Sequence, residues 1–245
     1  KFIITLCSNK NKIRKFTKKN FNILNFSVNQ FTKRSHIVLK ENLMKNFDII
    51  YTDNIILNNF LSKNLFVYAN FFWHQILKVR SKNFKKIEEY LLKNKIRIIG
   101  NYMFQNIKGN FYFKKIGFIG RFNGIFKINN NILLSFGTAN IHIKKKKLII
   151  NELNKILKDK KFSNYNFYLD KEYALIMSEN KVNNFQVFDY SKHMFSKMSL
   201  AIIKPGFGII NNCLKFGIPI CPINIFFNNE FKQNLEILKK KRLIL

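Results

Sequence analysis

Leu200-Ala-Ile-Ile-Lys-Pro-Gly-Phe-Gly-Ile-Ile-Asn-Asn-Cys-Leu-Lys-Phe-Gly-Ile-Pro219 carries the clearest topological signal in the chain. Leu200–Ile203 is a short, wholly apolar run of the kind that forms a strand covered on both faces. Lys204-Pro205-Gly206-Phe207-Gly208 breaks it with a turn, and the two glycines let the backbone bend sharply and come close to a ligand. A helix opens at once, with Ile209, Ile210, Cys213 and Leu214 on its inner face. Gly217 stands where a left-handed residue ends a helix, and Ile218–Cys221 starts the next strand. Strand, glycine turn, helix and strand make a βαβ unit whose helix N-terminus offers N–H groups and positive potential to an anion. Two glycines serving only a tight turn are the plainer alternative.

The same alternation runs outward along the chain. Strand-like runs occur at Phe2–Leu6, Asp48–Tyr51, Leu65–Tyr68, Ile96–Ile99, Ile132–Ser135, Phe167–Leu169 and Phe185–Phe188. Amphipathic helices lie between several of them. Phe84, Ile87, Tyr90 and Leu91 share one face, and Ile149, Leu153, Ile156 and Leu157 repeat at helical spacing. This pattern predicts an α/β protein with largely parallel sheets. Gly117–Asn131, with its glycines and three consecutive asparagines, reads as the joint between two domains, 1–121 and 122–245. Residues 1–60 are harder to read, and Lys10–Asn25 and Thr32–Lys40 fit surface helices or long loops equally.

Ile132-Leu-Leu-Ser-Phe-Gly-Thr-Ala-Asn140 repeats the strand-into-turn arrangement, so the amides around Gly137 and Thr138 form a second candidate anion site. An ordinary βα loop is the competing reading. In the first half, His74 follows Phe71-Phe72-Trp73 just after a strand. A histidine there has a pKa suited to a general base, and Asp53 is the carboxylate considered as its partner; a polar tip on a packed aromatic edge is the alternative. His36, His142 and His193 share no metal spacing. Met194 and Met198 read as core. Cys7, Cys213 and Cys221 form no CxxC pair, which fits a reducing compartment and argues against structural zinc.

Lys and Arg total 44 against 13 Asp and Glu, a formal charge of +31. The chain is equally rich in Asn, Ile and Phe, all spelled with A/T-rich codons, so drift in base composition accounts for the lysines. Attraction to an anionic membrane surface is the second reading, and nucleic acid is not expected as a partner. Hydrophobic residues make up 47%, enough for a substantial core and too many for a disordered chain. No apolar run reaches membrane-span length and no signal peptide is recognisable. The expected location is the cytoplasm or the inner membrane face. The first residue is Lys rather than Met, in keeping with an N-terminal domain that is incomplete.

Residues 204–234 resemble the donor-binding region of GT-B glycosyltransferases, closest to the MurG-like and UDP-glycosyltransferase-like branch. "KPGFGIINNCLKFGIPI" is similar to the KPGYG-type form of that branch, and "LLSFGTAN" resembles the first strand and loop of its donor domain. Phe118–Phe122 looks like the hinge before that domain. Asp48–Asn54 and Phe66–Leu77 loosely resemble the late part of the acceptor-side domain. The resemblance implies two Rossmann-like domains, the first on the acceptor side and the second binding a nucleotide diphosphate-sugar, with UDP-sugar as the expected donor. It implies metal-independent transfer of the sugar to a hydroxyl of a lipid, saccharide or small molecule, with no separate cofactor. Gly137, Thr138, Gly206, Phe207 and Gly208 would line the diphosphate. Phe188 would lie near the base, Asn212 would stand at the ribose position, and Glu230 and Asn234 would face the donor sugar. Two departures bear on sugar specificity and on activity itself: Asn212 replaces the usual Glu, and Phe231 the usual Gln. Two alternatives stay open, a sugar-nucleotide epimerase or hydrolase on the same fold and a catalytically degenerate relative that acts as a binding protein.

Overall fold

The computed structural model describes residues 5–8, 22–25, 49–53, 61, 64–76, 78, 82–118, 128–137, 143–223 and 229–245. Its contacts divide the chain into two compact units. The first comprises Lys1–Gly100 and Gln105–Lys115, the second Asn101–Phe104 and Ile116–Leu245. The joint expected between 121 and 122 lies outside the described residues.

In the first unit, β1 (Thr5–Ser8) and β2 (Asn22–Asn25) form a parallel pair. A four-stranded sheet has the order β3 (Ile50–Asp53), β4 (Leu65–Tyr68), β5 (Arg97–Asn101), β6 (Tyr112–Ile116). β3, β4 and β5 run parallel, with Tyr51 opposite Phe66 and Val67 opposite Ile98. Strand side chains alternate between faces, so Ile50, Leu65, Val67 and Ile98 share a face, and all four are buried. They pack in one cluster with Ile87 and Leu91 of α2 (Lys82–Lys93), which follows the single turn α1 (Trp73–Ile76). The helical face predicted from Phe84, Ile87, Tyr90 and Leu91 is the one that packs. The other sheet face departs from the expectation of cover on both sides: Tyr51 is 64% and Phe66 45% exposed.

The second unit holds one all-parallel sheet of order β11-β10-β7-β8-β9. Its strands are β7 (Asn131–Ser135), β8 (Asn166–Asp170), β9 (Gln186–Phe188), β10 (Leu200–Ile203) and β11 (Ile220–Pro222). One face carries α3 (Ile143–Lys158) and α4 (Lys171–Glu179), whose Ile149, Leu153, Leu157, Tyr173 and Met177 pack on Leu134 and Leu169. The other face carries α5 (Lys192–Phe195), α6 (Phe207–Lys215) and α7 (Asn229–Lys240), through Phe195, Ile210, Cys213 and Leu238. Here the central strands are covered on both faces, as their apolar composition requires, while the edge strand β9 leaves Gln186 and Val187 exposed. From β7 the chain builds outward through β8 and β9, then returns to lay β10 on the opposite side. The neighbours β7 and β10 therefore mark the switch point of the sheet, beyond whose carboxyl edge open α/β sheets hold their ligands.

Candidate functional site

The quoted βαβ unit forms as its punctuation predicts. Gly206 is the N-cap of α6, and Ile210 and Cys213 are its buried residues. Gly217 has φ +66°; its N–H donates to Leu214 O at 3.2 Å while Ile218 N–H donates to Cys213 O at 2.9 Å. Those two bonds are the Schellman arrangement, which the missing Cβ makes inexpensive.

At the carboxyl edge of β7, β8 and β10 lies a buried polar cluster. Asp170, the last residue of β8, is 2% exposed. Its Oδ2 accepts the N–H of Phe136 at 2.6 Å and of Gly137 at 2.8 Å. Its Oδ1 accepts the Tyr190 hydroxyl, and that oxygen lies 3.0 Å from Ser135 Oγ. Burial, then the Asp170 charge, pushes the Tyr190 hydroxyl pKa well above its ordinary value. Tyr190 holds its place with φ +60°, a left-handed conformation that costs a non-glycine residue about 1–2 kcal/mol.

Lys204 ends β10 and is 7% exposed. Gly137 has φ +70°, and a Cβ there would come within 2.8 Å of Lys204 Nζ, so the glycine leaves the space that the ammonium fills. Nζ lies 5.0 Å from the centre of the Phe231 ring, within cation–π range. Burial lowers the Lys204 pKa, while the carboxylates of Glu230 and Asp170 oppose that shift. Glu230 is the reciprocal case: burial raises its pKa, against the Phe207 N–H and the Lys204 charge. One cation thus sits among two carboxylates at the switch point.

These partners correct several expectations. The amides of Phe136 and Gly137 do not point at a ligand, because the chain's own Asp170 takes them. Gly206 N–H donates to Lys204 O at 2.7 Å, and Phe207 N–H is taken by the Glu230 carboxylate. Gly208 is exposed at the second position of α6, and its N–H makes no hydrogen bond among the described residues. Phe188 is 1% exposed and packs edge-on against Tyr190 and Phe195; it is core, and the aromatic beside it at the site is Tyr190. Asn234 is 5% exposed and donates from Nδ2 to Pro205 O at 2.9 Å, bracing the glycine turn from α7. Asn212 is half-buried on α6. Thr138 lies outside the described residues.

In the first unit His74 stacks between Phe72 and Phe84, at ring-centroid distances of 5.5 and 4.5 Å. Its Nε2 lies 2.8 Å from Glu88 Oε1, which also accepts from Gln75 Nε2 at 2.7 Å. Gln75 in turn exchanges two bonds with the Lys108 backbone. The carboxylate that orients His74 therefore comes from α2. Asp53 closes β3 opposite Tyr68, and its side chain lies outside the described residues. Asp170, Tyr190, Glu88 and the role of Lys204 are marked by no motif in the sequence. A signal existed for Asp170, a lone carboxylate closing the apolar strand Phe167–Leu169. Among the described residues no group of His, Cys, Asp and Glu is arranged to hold a metal, and no helix is long and apolar enough to cross a membrane.

Compared with known proteins, the sequence matches no family model and no curated protein. The fold does have solved counterparts. A glycotransferase of kitacinnamycin superposes with TM-score 0.54 at 12% identity over 99% of this chain and 77% of its own. UGT89C1 of Arabidopsis thaliana gives 0.52 at 9% identity over the same shares. The chain has an α/β fold with parallel, Rossmann-like sheets, in agreement with GT-B glycosyltransferases.

Proposed function

We propose that the protein is a glycosyltransferase that takes a sugar from a nucleotide diphosphate-sugar, UDP-sugar first, and passes it to an acceptor hydroxyl. The second unit is read as the donor-binding domain and the first as the acceptor-side domain. The observation that carries this reading is the switch-point cluster, where the buried Lys204 ammonium sits beside Gly137 and the N-terminus of α6. Glycosyl transfer leaves a diphosphate carrying the charge released as the glycosidic bond to the donor breaks. A preorganised cation and a helix N-terminus stabilise that developing charge in the transition state. With the Gly137 and Phe207 amides internally engaged, the Lys204 charge and the exposed Gly208 N–H are the groups proposed to do so. Tyr190 takes the role beside the base that Phe188 was expected to fill. Asn212 remains the proposed ribose contact and Glu230 the proposed sugar contact, once its carboxylate exchanges partners with the ligand.

The proposed acceptor base is His74, oriented by Glu88, with Asp53 as a second proposed contributor. His74→Ala that leaves turnover intact would remove it. One observation favours a second reading, a relative that binds without transferring: three amides of the two turns are held by the chain's own carboxylates. An epimerase or hydrolase differs from both by releasing nucleoside diphosphate without an acceptor.

A thermal-shift screen over nucleoside diphosphates and their sugars tests the reading. A ligand at one hundred times its Kd adds about 2.7 kcal/mol to the native state, which raises Tm by several degrees. UDP and a UDP-sugar are expected to do so, and a flat response across the set would overturn the assignment. Binding without sugar transfer to any acceptor would select the second reading.

A further inference from the structure

All five strands of the second unit run parallel, so each connecting helix ends at the amino edge of the sheet, opposite the switch-point cluster. That edge collects charge. Lys158 closes α3, Lys160 and Lys161 form the 3-10 turn before β8, Lys197 precedes β10, and Lys239-Lys-Lys-Arg242 end α7 and follow it; all are exposed. The segments are laced together. Asn129 and Asn131 both donate to Lys197 O, at 2.9 and 3.0 Å, and Asn166 N–H donates to Asn130 O at 2.8 Å. The carboxylates near this edge are Asp159, spent on capping Lys161 N–H, Glu179 at the end of α4, and Glu236, one turn before Lys240 on α7.

Apolar side chains stand among these bases. Ile128 is 93% exposed immediately before Asn129, and Phe162 and Tyr165 are 37% and 38% exposed with ring centroids 6.2 Å apart. Lysines beside exposed aromatic and aliphatic side chains match the chemistry of an anionic bilayer, where cations meet headgroups and apolar groups enter the interfacial layer. A polynucleotide would use the lysines and stack on the rings, but it leaves a bare branched aliphatic such as Ile128 unused.

We propose that the amino edge of the second unit's sheet is a docking surface for anionic lipid headgroups. It holds the unit on a membrane with the carboxyl-edge cluster turned away from the bilayer. This inference stands apart from the donor-sugar reading, and either survives the loss of the other.

The test is co-sedimentation of the full chain with phosphatidylcholine vesicles with and without phosphatidylglycerol. Three proteins are compared: the unaltered chain, the edge variant Lys160→Ser/Lys161→Ser/Lys240→Ser, and a charge-matched control on α2, Lys82→Ser/Lys86→Ser/Lys93→Ser. At roughly fivefold per lysine near the surface, the edge variant is expected to bind anionic vesicles about a hundredfold more weakly, with the control within about threefold of the unaltered chain. Ile128→Asn keeps the net charge and is expected to bind about tenfold more weakly. Equal losses in edge variant and control would reduce the effect to bulk charge and overturn the assignment. So would unaltered binding by Ile128→Asn, or indifference to vesicles together with salt-sensitive binding to single-stranded RNA.

Discussion

Asp170 holds three donors with two oxygens, and the donors come from two separate parts of the site edge. Phe136 and Gly137 lie on the turn after β7, and Tyr190 follows β9. Removing a buried carboxylate leaves all three without an acceptor and Lys204 with one counter-charge fewer. Asp170→Ala is therefore expected to cost about 3–5 kcal/mol in urea unfolding, whereas Tyr190→Phe, which loses one hydroxyl bond, should cost about 1 kcal/mol. Equal costs would show that Tyr190 and not the amides is the main client of the carboxylate. Glu230 supplies a pH signature. Its folded pKa lies above the ordinary 4.5 because of burial, so between those two values the folded state holds more protons than the unfolded chain. Stability from this group then falls as pH rises through that window. Glu230→Gln should flatten that fall relative to the unaltered protein, and parallel pH–stability curves for the two would contradict it. The local punctuation of both turns was readable in the residues. What was not readable was that their amides are satisfied by carboxylates 33 and 34 residues away in one case and on another helix in the other. Sequence spacing says where an N–H will point, and only the fold says what already stands there.

Among the described residues four helices end in the same way, and one of them uses the residue that makes the ending cheap. After α2, Ile96 N–H bonds Leu91 O and Lys95 N–H bonds Leu92 O; after α4, Val182 bonds Met177 and Lys181 bonds Ser178; after α7, Leu243 bonds Leu238 and Arg242 bonds Lys239. Each repeats the pair of bonds that closes α6, but the left-handed position carries Lys95, Lys181 or Arg242, at φ 49°, 57° and 53°. A side chain there costs about 1 kcal/mol relative to glycine. Lys95→Gly, Lys181→Gly and Arg242→Gly are each expected to stabilise the fold by about 0.5–1 kcal/mol. Gly217→Ala should destabilise it by a similar amount, all measured as shifts in urea midpoint at constant m-value. The same substitution pattern explains which elements were legible. The α6 boundary announced itself through Gly217. α4 did not, although Tyr173, Ala174 and Met177 form its buried stripe, because lysine stands where a stop signal is sought. β6, a Tyr-Phe-Lys-Lys-Ile edge strand with three exposed residues, carries too little apolar alternation to be read as a strand at all.

For the molecule as a whole, an excess of 44 bases over 13 acids works against compactness. The ion pairs among the described residues include His74–Glu88, Lys85–Glu89, Lys146–Glu172 and Lys155–Glu152, and 13 acids are too few to neutralise 44 bases. Like charges confined to a folded surface repel more than the same charges on an expanded chain. The core that opposes this repulsion is intact: the strand and helix positions that face inward remain hydrophobic, chiefly Ile, Leu and Phe, in all three clusters. That is why the α/β alternation could be read through a composition so rich in lysine. The balance makes stability depend on screening. Raising NaCl from 10 to 150 mM shortens the Debye length from about 30 to about 8 Å, so repulsion between distant lysines is lost while the buried Lys204–Asp170–Glu230 cluster is little affected. Tm is expected to rise by about 5 °C over that range, the shift given by roughly 1–2 kcal/mol in a chain of this size. Sucrose at equal osmolality separates screening from solvent exclusion and should not reproduce the full rise. A Tm that is flat or falls with NaCl would mean that attractive surface pairs outweigh the repulsion, and that the lysines are placed by the fold rather than merely tolerated on it.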